Sequence, residues 1–253
     1  MILDSWISLP IGILIATVAS TVGIGGGILW MPFLLIILKL RPDAAVVTSM
    51  LIQSAGMGSG TVAYWRQRRI DLPLMFTMLA VTVPGIAVGA YLVHILTPAH
   101  LELILGALTL LTAFIFVSAN QRYADTGRNH ADLKMVRRSS WFVSLMAVAS
   151  GMLSISIGEW MVPLMRSKLS LRMSVAVGTS IATVFGTCVL GAMFHLLMGG
   201  HANWGTIVWA APGVIIGGQI GPRVAEGIND RKLKEIFIFL LTLIGIHLIY
   251  NSY

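Results

Sequence analysis

No continuous membrane helix accommodates Thr21-Val22-Gly23-Ile24-Gly25-Gly26-Gly27-Ile28-Leu29-Trp30-Met31-Pro32, where four glycines and a proline stand between two apolar runs. Each glycine weakens a helix by about 1 kcal/mol relative to alanine and admits left-handed backbone, so the helix is expected to break here. In hydrocarbon, a break leaves amides and carbonyls that only protein or a watery cavity can receive. The break is therefore a candidate binding site.

Composition places the break in a membrane. Of 253 residues, 57% are apolar and 11% charged, with a mean hydropathy of +0.87, which indicates an all-α integral membrane protein. Apolar runs lie near residues 5 to 22, 28 to 38, 43 to 64, 73 to 96, 99 to 119, 140 to 157, 160 to 169, 173 to 198, 203 to 225 and 233 to 250. Two are short: as helices, 28 to 38 and 160 to 169 reach only ~16 Å and ~15 Å against a bilayer core of about 30 Å. Each is expected to pair with the run before it, giving broken-helix hairpins at 5 to 38 and 140 to 169. The N-terminus has no basic region or small-residue cleavage pattern and reads as a retained helix. Cys188 lies in an apolar run and reads as packing.

The polar stretch 120 to 140 carries five lysines or arginines and divides the chain, with the linker proper at 121 to 139. On either side, residues 1 to 120 and 140 to 253 repeat. Setting Pro32 over Pro163, an offset of 131, aligns residues 16 to 53 without a gap and gives eleven identities. These include Gly27 with Gly158 and Thr48-Ser49 with Thr179-Ser180, while Pro84, Gly85 and Gly89 match Pro212, Gly213 and Gly217 further on. If both hairpins return to their own side, every basic residue except Lys39 and Arg41 falls on one face, which is then cytoplasmic. Counting each hairpin as one broken span scatters them. The expected fold is thus two inverted-topology repeats, each a hairpin plus three transmembrane helices, with both chain ends outside. The formal charge of +7 follows from this topology and does not point to nucleic acid.

Inverted repeats would bring the two tips together near the midplane. Amides at Gly25, Gly26 and Gly27, and around Gly158 and Glu159, begin short helices and favour an anion; the plainer reading is close helix packing by small residues. Hydroxyls of Thr48, Ser49, Ser156, Thr179 and Ser180 can donate to an anion or back-bond to their own helices. Gln53, a turn beyond Ser49, is a weaker candidate because its counterpart is Val184. Trp30 and Trp160 follow the two breaks, where an indole N–H could donate to an oxyanion. Glu159 is an intramembrane carboxylate, so it either couples transport to a proton or caps its own helix. His94, His195 and His247 stand near segment ends and read as interfacial residues. Nothing in the sequence calls for a metal or cofactor: the glycines follow no strand and do not form a dinucleotide fingerprint, and Gly58-Ser59-Gly60 lacks a histidine base at a matching depth.

With Gly23-Ile24-Gly25-Gly26-Gly27, Pro32, Ala45-Val46-Val47-Thr48-Ser49 and Ala176-Val177-Gly178-Thr179-Ser180 in view, the chain resembles the TauE/SafE family of sulfite exporter-like membrane proteins. The resemblance implies a multi-pass inner-membrane transporter, not an enzyme, for a sulfur-containing anion such as sulfite, thiosulfate or an organosulfonate. One departure stands out. Many relatives carry a second glycine cluster where this chain reads Ser154-Ile155-Ser156-Ile157-Gly158-Glu159-Trp160. A non-transporting membrane subunit and a passive anion channel are the alternatives.

Overall fold

The computed structural model describes residues 5–118 and 127–225, together with 242, 245, 246 and 250. The described residues are almost wholly helical: α1 (Ser8–Val22), α2 (Gly27–Pro32), α3 (Pro42–Arg66), α4 (Leu72–Val93), α5 (Pro98–Ser118), α6 (Leu133–Leu153), α7 (Gly158–Ser167), α8 (Met173–Leu197) and α9 (Trp204–Val224). Ser5–Val22, Leu72–Val93 and Met173–Leu197 are long and apolar enough to cross a membrane. Most of the expected last helix, 233 to 250, and residues 119–126 lie outside the described residues.

Local chemistry sets the boundaries. The Asp71 side chain caps α4 by accepting from the Leu74 amide at 3.3 Å, and Asn203 caps α9 by accepting from the Thr206 amide at 3.0 Å. Pro42 opens α3, where its missing N–H removes an amide that no helical carbonyl could reach. Pro32 cannot donate to the preceding turn, and the chain continues as a π turn over Phe33–Ile37. One boundary differs from the sequence reading. α6 starts at Leu133 instead of 140, because Lys134, Met135 and Arg137 are good helix formers, although the charges of Lys134, Arg137 and Arg138 keep the stretch from registering as an apolar run.

Helices from the two ends of the chain are shuffled together. α1 packs chiefly on α9, α6 on α4, and α3 on α8 and α9. Glycines make the closest approaches. A methyl at Gly85 or Gly89 of α4 would stand 2.3 Å from the Ser144 carbonyl or 2.2 Å from that of Val148 in α6. At Gly213 or Gly217 of α9 it would stand 2.2 Å from the Leu9 carbonyl or 2.5 Å from that of Ile13 in α1. The residues that match in sequence thus perform the same task in different helix pairs.

Gly89→Val and Gly217→Val should therefore each lower stability by about 1–3 kcal/mol, as expected for overpacking. Gly205→Ala, which meets only the Asn203 side-chain oxygen at 3.4 Å, should leave stability unchanged or slightly raised. Thermal unfolding of the purified protein checks the comparison.

Candidate functional site: the crossing of two helix breaks

Both breaks begin alike. Gly23 follows α1 with φ of 83°, its amide bonded to the Ala19 carbonyl at 2.9 Å. Ser154 follows α6 with φ of 57°, its amide bonded to the Ser150 carbonyl at 2.9 Å. Left-handed geometry is natural for glycine but costs a serine about 1–2 kcal/mol. Ser154 is held by its surroundings: the Gln53 amide donates to its carbonyl at 3.1 Å and its hydroxyl at 2.7 Å, and that hydroxyl donates to Ser49 Oγ at 3.0 Å.

The breaks then cross. A methyl on Gly27 would stand 1.8 Å from the Ser154 carbonyl, and one on Gly158 would stand 2.6 Å from the Gly23 carbonyl. Between them, Gly25 lies against Ser156, its own counterpart at the 131-residue offset; a methyl on Gly25 would stand 2.3 Å from Ser156 Cβ. Contacts around this crossing recur at the same offset or within one residue of it. Ser180 Oγ donates to the Gly23 carbonyl at 2.8 Å, where Ser49 meets Ser154 on the other side. Tyr64 Oη donates to the Ser20 carbonyl at 3.0 Å, and His195 Nε2 to the Gly151 carbonyl at 2.7 Å. Thr179 Oγ1 accepts from the Asp71 amide and Thr48 Oγ1 from the Asn203 amide, both at 2.9 Å.

All thirteen residues singled out from the sequence lie at the two breaks or on the helices that pack around them, but their roles divide. Thr48, Ser49, Thr179 and Ser180 do not simply back-bond within their own helices; each joins one part of the chain to another. Gln53 positions the second break. Ser156 Oγ accepts from the Gly158 amide at 2.9 Å, so that amide is occupied. Trp30 is buried and packs edge-on to Phe33, whereas Trp160 packs edge-on to Phe142 and lines an apolar recess with Met146 and Ile157; the two indoles do not form a pair. His195 is 1% exposed, a correction to its reading as interfacial, and Tyr64 and Asp71 emerge as residues the sequence reading passed over. Their signal was available as an offset: Tyr64 stands over His195, and Asp71, like Asn203, precedes a helix.

Two sets of polar groups are left over. In the first break, residues 23–28 are buried, and the amides of Gly25, Gly26, Gly27 and Ile28 have no hydrogen-bond partner among the described residues. Buried orphan amides are rare. The first break lacks the remedy of the second because Gly25 replaces the hydroxyl that Ser156 supplies. In the second break, Glu159 is 1% exposed and neither carboxylate oxygen has a partner; it does not cap α7. An ionised carboxylate without a partner is costly in such a setting. Gln53 Oε1 is likewise buried and unpartnered. No cluster of metal-ligating side chains occurs among the described residues.

A family model described as Sulfite exporter TauE/SafE matches residues 8–248. The chain is 24% identical to the probable membrane transporter protein YunE of Bacillus subtilis (strain 168), covering 96% of each chain. It is 25% identical to the probable membrane transporter protein YjnA of the same strain, over 94% of this chain and 97% of that one. A probable membrane transporter protein of Xylella fastidiosa (strain 9a5c) is 23% identical over 96% and 94% of the two chains. No solved structure matches the chain.

Gly27→Ala and Gly158→Ala should each destabilise the protein by about 2–4 kcal/mol, since backbone carbonyls stand where the methyls would go. The larger loss should come from Gly27→Ala, whose obstruction is closer; equal stability to wild type in thermal unfolding would contradict the crossing.

Proposed function

The chain belongs to the TauE/SafE family of probable membrane transporter proteins, and from that premise we propose a secondary transporter for a small sulfur-containing anion such as sulfite, thiosulfate or an organosulfonate. The anion is held by the amides of Gly25, Gly26, Gly27 and Ile28. The observation that carries this reading is that these amides are buried and unpaired beside a second break whose corresponding amide is occupied. Oriented backbone donors at the start of a helix select negative charge without a fixed cation, which would hold a divalent oxyanion too firmly for release.

The transport cycle proposed is alternating access between two inverted repeats, 1 to 120 and 140 to 253. Support comes from the contacts that recur at the 131-residue offset, which join equivalent groups at two opposed places. In the conformation described, Ser49, Ser180, Thr48 and Thr179 hold the crossing closed. Rocking of one repeat on the other releases one set of bonds and then the other. The basic linker faces the cytoplasm and the termini lie outside, with the protein in the inner membrane. Glu159 carries the coupling proton: its unpartnered carboxyl group satisfies the need for neutrality while the anion is bound, and releases the proton when the site opens.

Purified protein should be stabilised by at least one of sulfite, sulfate, thiosulfate, taurine or sulfoacetate, with a melting temperature that rises with ligand concentration; no response to any of them would remove the anion site. In proteoliposomes, sulfite flux should saturate and respond to a proton gradient, whereas a passive channel would do neither. Glu159→Gln should retain binding but lose the proton dependence, and an unchanged pH-gradient response would exclude Glu159 from coupling.

A further inference from the structure

The two equivalent joints at the bundle ends are not equally loaded. At one, the Asn203 amide donates to Thr48 Oγ1, and the Asn203 side chain accepts only from the amide and hydroxyl of Thr206 among the described residues. At the other, the Asp71 amide donates to Thr179 Oγ1, and Asp71 Oδ1 accepts from Leu74. A carboxylate has a second acceptor oxygen where asparagine has a donor. Asp71 Oδ2 uses it to accept from the Ala131 amide at 2.8 Å. Asp71 is 2% exposed, so this bond is shielded from water.

The segment that supplies Ala131 is fastened a second time. Arg128 donates to the Ser170 carbonyl at 2.8 Å and accepts from the Arg172 amide at 2.9 Å, pairing the chain on the connection between α7 and α8. Gly127, with φ of 136°, lies so close that a methyl there would stand 2.5 Å from the Ser170 carbonyl. Ala131 also packs against the buried cluster that contains Leu169 and Leu171. Residues 127–131 therefore bridge the α3–α4 connection, through Asp71, and the α7–α8 connection, through Arg128. Those are the segments that must separate if the joint between Asp71 and Thr179 opens.

We propose that residues 127–131 form a strap that holds the Asp71–Thr179 joint shut, so that the bundle opens less readily on the linker side than on the Asn203 side. The consequence for transport rests on the alternating-access reading, but the strap itself does not. Its function is to bias the cycle toward the conformation closed on the linker side, and Asp71 is its positioning residue. Only an acid at this place can cap α4 and accept the strap with separate oxygens.

The test uses full-length protein in nanodiscs with Cys188→Ala and a reporter, Leu171→Cys, at a site that is fully buried next to the strap. Asp71→Asn should increase labelling of residue 171 by a charged maleimide at least tenfold. Ala131→Pro, which removes the donor and leaves the α4 cap in place, should do the same. Asn203→Ser, which keeps a capping oxygen at the other joint, should change it less than twofold. Hydrogen exchange over residues 127–132 should accelerate in Asp71→Asn at unchanged protection of α8. Labelling that rises in neither strap variant, or rises equally in Asn203→Ser, would overturn the strap. Sulfite flux measured in parallel separates the two readings: a protein that moves no sulfite counts against transport, while the labelling comparison still decides the strap.

Discussion

Backbone polar groups inside a bilayer have no water to fall back on, and the architecture described here follows from that constraint. Two interrupted helices each expose carbonyls and amides where the regular ladder stops. The chain answers by placing each interruption where the other can serve it. The Gly23 carbonyl receives the Ser180 hydroxyl and the Ser154 carbonyl receives the Gln53 amide, while glycines at 27 and 158 let the backbones come close enough. Remove either break and the other loses its solvent.

That mutual service is incomplete in one place, and the incompleteness is ordered. The second break supplies its own amide with Ser156 and adds an acid at 159, while the first has glycine at 25 and nothing to offer the amides that follow. The difference of one hydroxyl and one carboxyl group separates a donor-rich break from an acceptor-rich one.

Much of this was legible in sequence. Apolar runs located most helices to within a few residues, because burial in lipid makes hydropathy a direct record of helix extent. The gapless alignment of 16 to 53 with 147 to 184 anticipated which residues would carry equivalent contacts. What could not be read was the direction of those contacts. Thr48 and Thr179 looked like anion donors because hydroxyls at a duplicated site invite that role, but a hydroxyl also accepts, and only the fold shows the amides of Asn203 and Asp71 opposite them. His195 was misread for a related reason: a histidine near a helix end suggests the interface until Gly151, far away in sequence, is seen to present its carbonyl. The glycines of the first break were visible as a group, though not that Gly23 and Gly26 adopt left-handed geometry while Gly25 and Gly27 make room for the other strand of chain.

The pairing of α1 with α9 also constrains how the protein is made. Thr21 in α1 bonds to the carbonyl of Gly221, 200 residues later. Helices enter the membrane in order of synthesis, at about 5–20 residues per second, so α1 resides in lipid for on the order of ten seconds or more before its partner exists. During that interval α1 meets α3, where Tyr64 Oη reaches the Ser20 carbonyl, but the face that packs on α9 and the bond from Thr21 to Gly221 wait for the last part of the chain. Until α9 emerges, the first half lacks the helix on which α1 chiefly packs.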